Sequence, residues 1–170
     1  MKQAIIFSVL MFLSVYVHIF FIGILGISWI ILPLLVLAAH AFLHRRGLLI
    51  GALVGGLTYD IIVPGVFGIA TCAFVAVAVI HRRLAKLPVT EDHPLIAFSH
   101  GCVGVLVFFL VLGIGRTIVA LFTAGQVYDA VSHFPYLLLL TITLVHGVLT
   151  VSIAVLRELI LRPKKSLVLN

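Results

Sequence analysis

The sequence predicts an all-α membrane protein, a bundle of about six transmembrane helices whose N-terminus and C-terminus are both cytoplasmic. Three observations lead to this prediction. The 170 residues are 64% hydrophobic and only 9% charged, whereas a soluble domain has about 45–50% apolar and about 25% charged residues. Apolar runs follow one another along the whole chain with short polar breaks between them. Finally, nearly all basic residues fall on one side of the bundle that these runs define.

Each apolar run is predicted to be a helix, because a membrane-spanning helix requires about 20 mainly apolar residues. Membrane strands would instead alternate apolar and polar residues. The chain is expected to be one integral-membrane domain with spans at residues 4–22, 29–43, 47–62, 67–80, 95–117 and 136–156. Trp29 is expected at the membrane interface, and Pro64-Gly65 ends the third span. The third and fourth spans are short, so the sequence leaves open whether they cross the bilayer completely.

The orientation of the bundle follows from its basic residues. With six spans, Arg116 is the one basic residue on the outer side, and the other ten share the side of both termini. These ten are Lys2, Arg45, Arg46, Arg82, Arg83, Lys86, Arg157, Arg162, Lys164 and Lys165. Cytoplasmic loops carry such an excess of Lys and Arg. We therefore expect a multi-pass protein with cytoplasmic termini, and we attribute its net charge of +6 to topology, with no nucleic-acid partner.

The sequence shows no catalytic set and no metal-binding motif. Cys72 and Cys102 lie inside apolar runs, where small packing residues are expected. No serine or cysteine has the sequence context of an activated nucleophile. Five histidines, His40, His44, His81, His93 and His100, are expected near the cytoplasmic interface without ligand spacing. We therefore predict a protein that is not an enzyme and has no cofactor and no metal.

The third span carries a pattern of glycines. Gly47, Gly51 and Gly55 recur every four residues and so share one helix face, and Gly56 and Asp60 share an adjacent face. Small residues at this spacing allow the backbone of another helix to approach closely. These positions are therefore predicted to be packing or interaction surfaces.

Asp60 is the acidic residue that the spans place at membrane depth, and its role has two interpretations. A carboxylate there is costly and usually faces the protein interior or a watery cavity. It could be a functional carboxylate that binds a ligand or a proton. It could instead have a structural role at the end of its helix and pair with Arg116, which reaches the same outer side.

The sixth span carries a stripe of small and polar residues. Thr143, His146, Gly147 and Thr150 recur at helical spacing along an otherwise apolar helix. The stripe is interpreted as a helix–helix contact, with the wall of a substrate cavity as the alternative. His146 lies nearest the membrane centre, where an unpaired histidine is most costly.

The segment Arg46–Ile69 resembles the rod shape-determining protein family of the MreD type. The resemblance rests on Gly51, Gly55, Gly56, Asp60, Pro64, Gly65 and Gly68 and on the preceding Arg45-Arg46-Gly47 turn. It implies a non-catalytic membrane subunit of the bacterial cell-elongation complex in the inner membrane. Its implied partners are an MreC-type single-span scaffold protein and the other membrane proteins that synthesise side-wall peptidoglycan. A more distant similarity implies the alternative, a substrate-binding membrane subunit of a vitamin-type transporter.

Overall fold

A computed structural model describes residues 2–25, 31–43, 47–84, 94–122 and 136–161. These residues form six α-helices, and they contain no strand. The helices are α1 (Lys2–Leu25), α2 (Leu32–Leu43), α3 (Leu48–Ile62), α4 (Ile69–Leu84), α5 (Pro94–Phe122) and α6 (Tyr136–Leu161). The all-helical prediction is therefore confirmed for the described part of the chain.

The helices form an incomplete ring around α2. In the described residues, α1 packs on α3, α3 on α4, α4 on α5 and α5 on α6, while α2 contacts all five. Within these described ranges no contact joins α1 to α6, so the ring of described helices is open between these two. The central position of α2 suits its sequence, because a helix that is apolar all round its surface is buried.

Three helices are long and apolar enough to cross a membrane: Ala4–Ile24 in α1, Pro94–Val119 in α5 and Leu138–Leu156 in α6. The 15 residues of α3 and the 16 of α4 extend only about 22–24 Å, less than the ~30 Å hydrocarbon core. The surface is rich in exposed large apolar side chains, most densely along α1, which fits contact with lipid. We call the end of the bundle where α1 begins the proximal end and the opposite end the distal end.

The central helix is shorter than the predicted second span. It begins at Leu32, whereas the sequence predicted a helix from residue 29, and Trp29 lies outside the described residues. Its 12 residues extend about 18 Å. Ile31, just before its first turn, is buried against the middle of α6. The N-terminus of α2 therefore lies inside the bundle, where its free backbone N–H groups require partners from the protein.

The core beside α2 is aromatic. Phe74 of α4 and Phe108 of α5 are buried with their ring centres 5.0 Å apart, and Tyr59 of α3 lies 6.0 Å from the first ring and 6.5 Å from the second. This cluster joins α3, α4 and α5 in the distal half of the bundle and fixes the position of the neighbouring Asp60.

Candidate functional site

Asp60, in the last turn of α3, binds the first turn of α4. Its Oδ1 accepts a hydrogen bond from the Ala70 N–H (3.0 Å), and its Oδ2 accepts bonds from the Thr71 N–H (2.9 Å) and the Thr71 hydroxyl (2.5 Å). Helix N-termini usually receive such bonds from a capping side chain directly before the helix. That place belongs to Gly68, which has a φ of +95° and no side chain. Asp60 therefore supplies the missing cap from the preceding helix.

The predicted pairing of Asp60 with Arg116 is wrong. Both residues are described, but they form no ion pair, and Arg116 is exposed. The physical reason is that the N-terminus of α4 already supplies three donors and a partial positive charge to the carboxylate. Helix lengths correctly brought the two residues to the same end of the bundle, but they did not determine the directions of the side chains.

The glycines of α3 contact other helices of the same chain. A Cβ atom at Gly51 would lie 2.1 Å from the ring of Phe7, and one at Gly55 would lie 2.6 Å from Cε of Met11. A Cβ at Gly56 would lie 2.5 Å from Cα of Thr71 in α4. Gly47 precedes the helix with a φ of +89°, and its Cβ would lie 2.9 Å from Cα of Ala4.

The small and polar stripe of α6 lies against α5. A Cβ at Gly147 would meet the ring of Phe98 at 2.6 Å and Sγ of Cys102 at 2.8 Å. Thr143 and Thr150 are buried, and their hydroxyls donate to carbonyls one turn earlier in α6, those of Leu139 and His146, both at 2.7 Å.

Gly101 of α5 completes this crossing and was missed in the sequence. A Cβ there would lie 2.6 Å from the His146 carbonyl oxygen and 2.9 Å from Cα of Gly147. The signal that could have found it is the close spacing of Gly101 and Gly104 in an apolar run, which resembles the small-residue pattern of packed helices.

His146 holds the buried start of the central helix. Its Nδ1 lies 2.9 Å from the Ile142 carbonyl oxygen. In the tautomer with the proton on Nδ1, this nitrogen donates to the carbonyl and Nε2 has a lone pair; Nε2 also lies 3.3 Å from the Ile31 carbonyl oxygen. The Ile31 N–H donates to that lone pair across 3.0 Å. Both ring nitrogens are therefore bonded, and α6 provides an acceptor to the N-terminal region of α2.

His81 of α4 and His100 of α5 form a second buried contact, near the proximal end. Their Nδ1 atoms lie 2.8 Å apart, and their ring planes differ by 10°. The ring centres are 4.9 Å apart, farther than the nitrogens, so the rings face each other through Nδ1 and one donates to the other. Nε2 of His81 is buried with no hydrogen-bond partner, and a Cβ at Gly104 would lie 3.0 Å from it.

His81 and His100 were expected near the cytoplasmic interface, and they lie near the proximal end of the bundle; their side chains are buried there, with only 1% and 2% exposed. Each histidine has a helix partner that spacing along a single helix could not reveal. In the described part of the chain, no third His, Cys, Asp or Glu joins them in a group able to hold a metal ion. His44 and His93 lie outside the described residues, and the side chain of His40 does too.

Three of the polar side chains described here connect one helix to another. Asp60 links α3 to α4, His146 links α6 to α2, and His81 links α4 to α5. This arrangement can hold a bundle in one geometry. Both oxygens of the Asp60 carboxylate accept hydrogen bonds within the bundle.

No protein-family model matches the chain, and no curated protein or solved structure is significantly similar to it.

Proposed function

We propose that this protein is a non-catalytic membrane subunit of the bacterial cell-elongation complex and acts as a scaffold through helix–helix contacts. The observation that carries the proposal is the use of three buried or partly buried polar groups. Asp60, His81 and His146 each join one helix to another. A scaffold needs a rigid shape of this kind and requires no reactive side chain of its own.

The glycine pattern that carries the family resemblance has a structural role that fits this proposal. The Gly51, Gly55 and Gly56 positions seat α3 between α1 and α4. Asp60 and Gly68 then form the junction to α4. Because these faces are filled by the chain itself, an MreC-type partner would contact the outward surface of the ring, where large apolar side chains are exposed.

The proposed setting is the bacterial inner membrane, crossed six times, with the proximal end in the cytoplasm. The charge pattern supports this orientation, because Arg82 and Arg83 are exposed in the last turn of α4 at the proximal end. Arg116 is the basic residue near the distal end.

The proposal is tested in a rod-shaped bacterium that carries this protein, by depletion and complementation. Depletion is expected to give rounded cells, and an MreC-type protein is expected to co-purify with the tagged chain from cross-linked membranes. Gly23→Leu should restore rods, because a Cβ at Gly23 meets no atom of the described part of the chain within 4 Å. Gly56→Leu should fail to restore them and should lower membrane abundance, since its side chain would strike the backbone of α4.

The opposite result would identify the transporter alternative. Depleted cells would then stay rod-shaped and lose uptake of a vitamin, and an ATPase pair would co-purify in place of the scaffold protein. Membrane abundance of each variant, measured on the same cells, separates loss of function from loss of the protein.

A further inference from the structure

In the residues that the structure describes, one buried side-chain nitrogen has no hydrogen-bond partner, Nε2 of His81. The same ring contacts His100 of α5 through its other nitrogen, with the two Nδ1 atoms 2.8 Å apart. A neutral imidazole has one N–H and one lone pair. The two rings therefore have different tautomers, so that one Nδ1 donates and the other accepts. Whichever ring donates, Nε2 of His81 remains a buried donor or acceptor without a partner.

A proton added to His81 would disturb this contact at either nitrogen. On Nδ1 it would remove the lone pair to which His100 can donate. On Nε2 it would create a charged ring whose second N–H lies beside Gly104, where a Cβ would be only 3.0 Å away. A buried charge without a paired acceptor is strongly unfavourable. The closed contact therefore excludes the protonated form of His81.

No described carboxylate balances a positive charge at this contact. Asp60, the one acidic residue whose side chain the structure describes, lies with Tyr59 at the distal end of α3, and Cys102 and His146 bond at the crossing of α5 and α6. The other titratable or charged groups on the helices packed around the contact are Arg82 and Arg83 of α4, His40 of α2, and Arg157 and Glu158 of α6. The two arginines of α4 are exposed and add positive charge, and the side chains of the other three lie outside the described residues.

His81 is buried, but it lies close to the solvent-facing end of its helix. It is in the last turn of α4, together with the exposed Arg82 and Arg83. Separation of this turn from α5 would therefore bring the ring into water. Two helical turns earlier, Phe74 packs on Phe108 of α5 with their ring centres 5.0 Å apart, and neither side chain titrates. This aromatic pair would hold the rest of α4 on α5 while the last turn moves.

We propose that the contact between His81 and His100 is an acid-sensitive closure of the proximal end, in which protonation of the histidines separates the last turn of α4 from α5. In the open state the rings meet water, where an unperturbed histidine titrates near about pH 6.5. Above this pH the neutral contact keeps the end closed. Below it, each ring that gains a proton on opening favours the open state about tenfold per pH unit. The closure does not depend on the proposed role in cell elongation.

Hydrogen–deuterium exchange of the whole purified chain in a non-ionic detergent tests the proposal, with labelling from about pH 4.5 to about pH 7.5 and detection by mass spectrometry. The exchange rate at each pH is divided by the intrinsic rate of an unstructured amide. Protection of residues 78–84 should be constant above about pH 6.5. Below that pH it should fall about tenfold per unit when one ring gains a proton, and about a hundredfold when both do. Residues 48–58 of α3 contain no titratable side chain and should keep constant protection.

The variant that combines His81→Leu with His100→Leu replaces both partners by apolar side chains and so strands no polar group. Its protection of residues 78–84 should no longer depend on pH. Two matched controls should keep the slope of the parent. His18→Leu makes the same change at another buried histidine, in α1, and Arg82→Gln removes the positive charge next to His81.

Constant protection of residues 78–84 in the parent down to about pH 4.5 would overturn the proposal, because the contact would then stay closed in acid. An unchanged slope in the double variant would also overturn it and would assign the acid sensitivity to another group, such as His40. If size-exclusion chromatography shows that the leucine variant does not fold, His81→Asn combined with His100→Asn takes its place. Asparagine keeps a donor and an acceptor near the position of Nδ1 but does not titrate, so the slope should again be lost.

Discussion

At the scale of single residues, the bundle tolerates a partly buried charge because a helix end supplies its hydrogen bonds. Asp60 accepts two backbone N–H bonds and one hydroxyl bond from the first turn of α4. These are the groups that a helix leaves without partners at its N-terminus. The carboxylate and the helix end therefore satisfy each other, and each would be costly alone in an apolar setting.

Asp60→Ala is expected to lower the free energy of unfolding in mixed micelles by about 1–2 kcal/mol, the cost of losing a helix cap. Arg116→Gln should change it by less than about 0.5 kcal/mol, the usual range for an exposed side chain. The double variant should show the sum of the two effects, because the residues share no bond. A double variant clearly less destabilised than this sum would show that Asp60 and Arg116 do interact, as the ion-pair hypothesis requires.

His146 offers a second test at this scale. His146→Leu leaves the buried Ile31 N–H without its acceptor, which should cost about 1–3 kcal/mol. Thr143→Val in the same helix should cost much less, since that hydroxyl bonds only to a carbonyl of its own helix. Unfolding in denaturant measures both variants. Equal costs would show that the bond from Ile31 to His146 contributes little.

At the scale of helices, the effect of adding a methyl group depends on what it meets. A Cβ at Gly56 or Gly101 would strike backbone atoms of the next helix, at 2.5 Å and 2.6 Å. A Cβ at Gly55 would strike the end of the flexible Met11 side chain. The first two contacts can be relieved only by separating helices, whereas the third can be relieved by a change of rotamer.

We therefore expect Gly56→Ala and Gly101→Ala to lower the unfolding free energy by about 1–3 kcal/mol, the usual cost of overpacking. Gly55→Ala should be milder. Gly113→Ala should raise stability by about 0.5–1 kcal/mol, because alanine has the higher helix propensity and its Cβ meets no atom of the residues that the structure describes within 4 Å. Thermal unfolding of the four variants in one detergent gives the order. Destabilisation by Gly113→Ala equal to that of Gly56→Ala would refute this account of the glycines.

The sequence predicted much of the helical architecture because a long run of apolar residues marks a helix that lies in the membrane. It did not predict which way a side chain points, since that depends on which helices are neighbours. Arg116 was therefore assigned to Asp60, and the contact between His81 and His100 was not predicted. The start of α2 was also placed too early, because an apolar run does not show that a helix begins inside a bundle.

At the scale of the whole molecule, a short central helix closes the interior. The helix α2 begins beside His146, in the middle of the bundle. It fills the centre of the ring with Leu34, Leu37 and other buried apolar residues. The ring itself stays open between α1 and α6. Assembly of the ring and burial of the central helix should therefore be cooperative, since α2 contacts all of its members.

The remaining question at this scale is whether the two short helices, α3 and α4, cross the membrane, and reporter fusions test it. Alkaline phosphatase, active only outside the cytoplasm, and green fluorescent protein, active only within it, should be fused after Arg46, Pro64, Lys86, Thr123 and Asn170. We expect phosphatase activity at Pro64 and Thr123 and fluorescence at the other three sites, because ten of the eleven basic residues then lie in the cytoplasm. The reciprocal reporters control for expression at each site. Phosphatase activity at Asn170, or fluorescence at Pro64, would contradict the six-span topology, the second result by showing that α3, about 22 Å long, does not cross.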